Sequence, residues 1–398
     1  MERKKILWLF FLSFALRAAF VLTLPASLRF DDEFEYWRMV QNFLSGQGLM
    51  VSQHWKAFRP PLYPFFLSIF VFLQANFLAI RIVQAIISAA TVVLIFFLGE
   101  KLFSKKVGWL AGILSAVYPF FIFYSGFLLT ETLFIFLTVW TILELITMHN
   151  KPTYMAAVRA GFSLGLSSLC RPTMLVFAPF GLLLNFMNAA DKRLRAKEIF
   201  VSLVVLLVTI SPWVTRNYVL LKKFVPGTTM GGWVFWEGNN PHSEGGPCRI
   251  FPEEVSKIPE GERDRFLYRE TWKVIRNNPR RYLWLLQNKF RRFWNIVPNA
   301  QEFSKPSYCL ISVLSFGLIL PFFLIGFVLS WKTQSVRHLH ALIIFFTLFH
   351  MVYLASIRYR VAIEPMVLIL GAHGWFSIIS LISGTNWPIK KHRNHQNY

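Results

Sequence analysis

Acidic residues are scarce in this 398-residue sequence: twenty Asp and Glu stand against 42 Lys and Arg, for a formal charge of +22. Charged residues make up only 16%, where a soluble domain carries about a quarter. The three cysteines, Cys170, Cys248 and Cys309, have no metal-ligand spacing and permit at most one disulfide. There is no Walker sequence, no Gly-x-Gly-x-x-Gly, no His-Glu-x-x-His and no Gly-x-Ser-x-Gly. Those absences set aside nucleotide-driven, zinc-protease and serine-hydrolase chemistry, unless a partner supplies an ATPase. No internal repeat, heptad or low-complexity tract is present, so the repeats common in secondary transporters are not apparent.

What the sequence has instead is hydrophobic length. Apolar residues reach 55%, and apolar runs recur, each near the roughly 20 residues that cross ~30 Å of hydrocarbon. Most basic residues cluster between those runs, as the positive-inside bias requires, so the charge points to membrane topology and not to nucleic acid. The first run, Ile6–Leu24, is interrupted by Arg17 and lacks a small-residue cleavage site, so it reads as a retained span. Residues 61–79 pose a parity question, because a full crossing there would put Lys101, Lys105 and Lys106 outside. A non-crossing segment keeps every later basic cluster inside. Pro60, Pro61 and Pro64 also argue against a regular helix start.

The expectation is therefore an all-α polytopic membrane protein with about ten spans and both termini cytoplasmic. Its other spans are Leu78–Leu98, Val107–Tyr124, Thr132–Thr147, Ala156–Leu169, Thr173–Phe186, Ile199–Thr215, Tyr308–Leu329, Leu339–Leu354 and Ala362–Ile382. Residues 1–216 form a catalytic transmembrane module with a first external loop at 25–77. Residues 217–306 form a long external loop, 307–383 the last spans, and 384–398 a basic cytoplasmic tail. Within the first loop, Phe34, Tyr36, Trp37, Val40, Phe43 and Leu44 predict an amphipathic surface helix over Asp32–Leu44.

This topology collects unusual charges on the outer face. Asp31, Asp32, Glu33 and Glu35 stand beyond the first span, with His54, Lys56 and Arg59 later in the same loop. Glu131, Arg171, Arg216, Glu237, His242, Arg358 and Arg360 join them. Charges at span ends are costly unless they work or are paired. A carboxylate kept ionised by arginines suits a general base, and guanidinium groups suit a phosphate. The combination fits group transfer from a lipid-linked phosphate, with the leaving phosphate met by Arg or Lys, or by a divalent metal between acids. Structural ion pairs that orient the spans are the competing account.

Seven short elements in order carry a family resemblance: Asp32-Glu33-Phe-Glu-Tyr36, Leu44-Ser-Gly46, Arg59-Pro-Pro-Leu-Tyr-Pro64, Glu131 before an apolar run, Leu169-Cys-Arg-Pro-Thr173, Pro212-Trp-Val-Thr-Arg-Asn217, and Arg358-Tyr-Arg360. With them the chain resembles the C-type multi-spanning glycosyltransferases, in the bacterial branch related to protein O-mannosyltransferases and lipid A aminoarabinose transferases. The resemblance implies an inverting transferase that uses a polyprenyl-phosphate sugar at the periplasmic face of the bacterial inner membrane. Its acceptor would be a lipid, glycan or protein. It implies catalytic roles for Asp32 (the base), Glu33 and Glu131, with Asp32 and Glu131 as the place for a metal. Arg59, Arg216, Arg358 and Arg360 would bind donor phosphate. Tyr36, His54, Lys56, Tyr63, Arg171, Glu237 and His242 would line the substrate site. Phe58 replaces the glutamate of the aminoarabinose branch, which argues against that sugar. A lipid-linked sugar flippase and a noncatalytic scaffold are the alternatives.

Overall fold

The computed structural model of the protein describes residues 2–187, 189 and 191–383; the basic tail predicted at 384–398 lies outside the described residues. Among the described residues there is no β-strand, only one isolated bridge between Ser52 and Trp55. The all-helical architecture expected of the sequence is present.

Among the described residues, seven helices are long and apolar enough to cross a membrane: Arg3–Leu22, Phe77–Leu102, Glu131–Asn150, Lys192–Leu221, Pro306–Leu329, Gln334–Val352 and Ile357–Ser383. The pair Lys105–Ala116 and Pro119–Ser125, bent by 52°, makes an eighth if it counts as one span. Helices also occupy the two remaining predicted positions, Tyr154–Cys170 and Thr173–Met187, but they are shorter, with 17 and 15 residues. By length and composition the spans number seven or eight, and the expected count of about ten is not confirmed.

The bend has an identifiable cause. Pro119 lacks an amide hydrogen and begins the second half, freeing carbonyls at the end of the first half. The side chain of Arg17, fully buried in the first span, donates to the carbonyls of Ala116 at 2.9 Å and Ser115 at 3.2 Å. Its remaining bonds go to Ser88 Oγ at 2.6 Å and the Ser13 carbonyl at 3.0 Å. The arginine that interrupted the first apolar run thus caps a broken helix from the side.

Residues 62–72 form an 11-residue helix, about 16 Å long and too short for the hydrocarbon. Pro64 sits in its first turn, where backbone amides have no intrahelical acceptor, so a proline is tolerated there. The surface helix Asp31–Leu44 packs against it through Tyr36, Met39 and Val40 meeting Tyr63 and Leu67. Phe34, Phe43 and Leu44, also assigned to the apolar face by spacing, are exposed, as a face turned to the membrane surface would be. The long loop supplies three more helices, Gly231–Asn239, Glu260–Asn277 and Pro279–Trp294. Glu260 docks it onto the first loop by accepting from the Lys56 amide at 2.5 Å, the Ala57 amide at 2.9 Å and Thr229 Oγ1 at 2.7 Å.

The last span is held by glycine. A β-carbon on Gly374 would lie 2.0 Å from the Phe322 carbonyl oxygen, and one on Gly326 would lie 1.9 Å from that of Leu370. The helices Pro306–Leu329 and Ile357–Ser383 therefore touch backbone to backbone, as small residues allow in membranes. That contact anchors the helix at whose start Arg358 stands.

Arg17→Leu should leave the Ala116 carbonyl unpaired and the Ser115 carbonyl with only the Tyr118 amide at 3.4 Å. The expected loss is about 2–4 kcal/mol, read as a lower melting temperature of the purified protein; an unchanged melting curve would refute the capping role.

Candidate active site

The surface helix begins with Asp31, Asp32 and Glu33 in its first turn, where carboxylates meet the positive helix end. Glu33 closes a capping box: its Oε2 accepts from the amides of Arg29 at 2.8 Å and Phe30 at 3.0 Å. Its Oε1 accepts from the Leu128 amide at 2.7 Å. Fully buried and bound to three backbone amides, Glu33 ties the first loop to the turn before Glu131. Its contacts are those of a residue that orients the loop beside Asp32. Tyr63 acts on the same turn. Its hydroxyl donates to Gln84 Oε1 at 2.6 Å, and Gln84 Nε2 donates to the carbonyls of Ser125 at 3.1 Å and Phe127 at 2.8 Å.

Asp32 projects into a cluster of guanidinium groups. Its Oδ1 receives Arg59 at 2.5 Å and its Oδ2 receives Arg358 at 2.5 Å. Arg358 also donates through Nε to Glu131 Oε1, which Arg171 meets at 2.6 Å. Arg171 follows the helix Tyr154–Cys170 and is steadied by Thr130 Oγ1 at 2.8 and 3.0 Å. Arg59 donates its Nε to Glu35 at 2.5 Å and lies over the ring of Tyr36. Four separate segments thus contribute three acids and three arginines to one chain of ion pairs. Burial would push the Asp32 carboxyl up, but Arg358 and Arg59 outweigh it and hold the group well below the usual carboxylate range. The second oxygen of Glu131 is buried and has no hydrogen-bond partner.

The sequence reading offered Asp32 and Glu131 as a place for a divalent metal, and in this structure arginines occupy that place. The guanidinium of Arg358 fills the place a shared cation would take, and both Asp32 oxygens already face arginines. Among the described residues, no three His, Cys, Asp or Glu side chains gather to hold an ion.

Other expected members stand elsewhere. Arg216 donates to the carbonyls of Lys56 at 2.7 Å and Leu49 at 2.8 Å, clasping the two ends of the first-loop hairpin. Arg360 is fully buried, paired with Glu364 at 2.9 Å, and donates to the carbonyls of Phe293 and Asn295 at the end of the helix Pro279–Trp294. It is a helix cap, not a phosphate ligand. His54 and His242 are exposed. Lys56 faces a separate cavity. Glu237 is largely buried, 3.9 Å from Arg249, and burial pushes its carboxyl up against the pull of that arginine.

Two participants escaped the sequence reading. Glu35, grouped above with the outer-face charges but given no role, is the second partner of Arg59. Its position one helical turn after Asp32 was the available signal. Lys289, in the helix Pro279–Trp294, is fully buried and donates to Asn239 Oδ1 at 2.7 Å and the Val352 carbonyl at 3.0 Å. It locks the long loop to the segment preceding Arg358. Burial, reinforced by Arg281, lowers its ammonium from the ordinary 10.5 to about 7.

The unfolded chain therefore binds this proton where the folded chain does not, between pH 7 and 10.5, and stability rises with pH across that window. Between about pH 7.5 and about pH 9.5, wild-type should gain up to about 2 kcal/mol over Lys289→Met in thermal unfolding. Parallel curves for the two proteins would refute the assignment.

The model of the dolichyl-phosphate-mannose-protein mannosyltransferase family matches residues 58–215, a stretch that includes Arg59, Glu131 and Arg171. No curated protein sequence matches the chain significantly. Among solved structures, the archaeal oligosaccharyltransferase AglB from Archaeoglobus fulgidus, in complex with an inhibitory peptide and a dolichol-phosphate, superposes with a TM-score of 0.61 at 16% identity. That match covers 96% of this chain and 52% of that one. The Archaeoglobus fulgidus oligosaccharyltransferase in complex with Zn and sulfate gives 0.59 at 16% identity, covering 95% and 49%. ArnT from Cupriavidus metallidurans, bound to undecaprenyl phosphate, gives 0.55 at 13% identity, covering 96% and 62%. The chain spans about half the length of the oligosaccharyltransferase and somewhat more of ArnT. It has the fold of the C-type glycosyltransferases, as its short motifs implied, and residues 58–215 carry the pattern of the mannosyltransferase family.

Proposed function

We propose that the protein is an inverting glycosyltransferase that moves a sugar from a polyprenyl-phosphate donor to an acceptor at the periplasmic face of a bacterial inner membrane. The observation that carries this reading is the Asp32–Arg358–Glu131 bridge with Arg59 and Arg171 beside it, at the end of the bundle where the first loop emerges. Similar folds hold dolichol-phosphate in AglB and undecaprenyl phosphate in ArnT, which supports a lipid phosphate as the group the arginines await.

The reaction follows from the charges. With no donor present, Asp32 is neutralised by two guanidinium groups and is a poor base. A donor phosphate competes for Arg59 and Arg358, and bidentate contacts to phosphate favour that exchange. As those arginines turn to the phosphate, Asp32 regains its proton affinity. It then takes the proton from an acceptor hydroxyl or amine. The acceptor's lone pair forms the new bond to the anomeric carbon, and the bond from that carbon to the phosphate oxygen breaks with its electron pair. Polyprenyl phosphate leaves as an anion, its charge met by Arg358 and Arg59. The unpartnered oxygen of Glu131 is available to accept from a substrate hydroxyl. Glu35 keeps Arg59 oriented throughout.

Asp32→Asn should lower transfer by roughly a hundredfold or more while the protein stays folded and still retains undecaprenyl phosphate. The measurement is a comparison of membrane glycolipids and glycans from cells carrying wild-type or Asp32→Asn protein. One sugar missing only with the variant is the expected result, and undiminished transfer by Asp32→Asn would sink the assignment.

A further inference from the structure

A cavity of about 390 Å³ opens beside the first loop, lined by Gln47, Met50, Gln53, Lys56, Arg216 and Leu220 among others. None of Asp32, Arg59, Glu131, Arg171 or Arg358 lines it. Two lining side chains are cationic and no lining residue is acidic. The hydrogen bonds of Arg216 go to the carbonyls of Lys56 and Leu49 and to Asn217 Oδ1, all neutral acceptors, and Glu260 is the carboxylate whose charge reaches it. Glu260 lies behind the loop with its oxygens taken up by the Lys56 and Ala57 amides and the Thr229 hydroxyl. An anion is the complementary occupant for the polar wall.

Apolar lining comes from Val219 and Leu220, on the same helix as Arg216. Val219 and Leu220 are exposed near the end of the helix Lys192–Leu221, and Phe200, Val204, Leu207 and Val208 are exposed further down the same helix. A cationic rim above an exposed apolar stripe, on a helix able to span a membrane, matches the layout of a phospholipid. A free phosphate would use the rim and leave the stripe uncovered.

We propose that this cavity binds an anionic membrane phospholipid, its phosphate against Lys56 and Arg216 and its acyl chains along the helix Lys192–Leu221, at a site separate from that of the sugar donor. The occupant would brace the Leu49–Lys56 segment, which leads within three residues to Arg59. Binding here does not depend on the transfer reaction, so the two readings fail separately.

The test offers phosphatidylglycerol and phosphatidylcholine in equal amounts to the purified full chain and reads the retained lipid by native mass spectrometry. Undecaprenyl phosphate retention is scored in parallel. Wild-type should prefer phosphatidylglycerol by about tenfold, the scale of one charge-assisted contact. Lys56→Glu should abolish the preference and Lys56→Arg should keep it, both leaving undecaprenyl phosphate retention unchanged. Should Lys56→Glu fail to fold, Leu220→Trp, which fills the apolar wall, should also reduce phosphatidylglycerol retention. Equal retention of the two lipids by wild-type, or an unaltered preference in the folded Lys56→Glu protein, overturns the proposal. Displacement of phosphatidylglycerol by excess inorganic phosphate assigns the site to a free anion and overturns it too. Joint loss of undecaprenyl phosphate in Lys56→Glu overturns the separateness of the site while leaving the transferase reading intact.

Discussion

Arg358 binds Asp32 and Glu131 at once, and the rest of the site depends on that double contact. The residues it joins are 326 and 227 positions away in the chain, so no local propensity brings them together. The first-loop helix presents Asp32, the start of a membrane span presents Glu131, and the start of the last span presents Arg358. Each must be right for the bridge to form. The scaffold achieves this with direct backbone contacts: Glu33 on the Leu128 amide, Gln84 on the Ser125 and Phe127 carbonyls, and the close approach of Gly326 and Gly374 between the last spans.

Paired charges in a low-dielectric setting cost more to desolvate than a surface pair, and their mutual attraction repays this only with good geometry. Here the chain of alternating acids and arginines satisfies most of its members. Asp32 holds one guanidinium per oxygen, while the inner oxygen of Glu131 remains unpaired. The same chemistry appears without functional implication elsewhere in the bundle. Arg17 closes a proline break and Arg360 caps a helix against Glu364. A buried arginine in this protein is therefore read from its partners: carbonyls mark a structural role, and clustered carboxylates at the open end mark the site.

Much of the architecture was legible from hydrophobic run length and the placement of lysines. The short segment at 62–72, inferred to stay out of the full crossing because of charge parity, is indeed an 11-residue helix. Less legible were helix ends, since the helix Lys192–Leu221 runs beyond its apolar core at both ends and carries Arg216 past it. The count of about ten spans is not confirmed, because the helices at 154–187 are short and apolar composition does not reveal helix length. An amphipathic pattern identifies an apolar face but not which part of it meets protein.

The sequence by itself determined that this is a helical membrane protein with its scarce acids gathered beyond the first span, because hydrocarbon admits only long apolar helices and penalises stray charge. It also singled out Asp32, Arg59, Glu131, Arg171 and Arg358, the residues that the fold draws into one network. What only the tertiary structure decided was the division of labour among neighbours in the motifs. Glu33 turns to backbone amides while Asp32 beside it meets arginines, and Arg360 turns inward while Arg358 faces the site. The physical reason is helical geometry: adjacent residues on a helix point about 100° apart, so two like charges in one motif reach different surroundings.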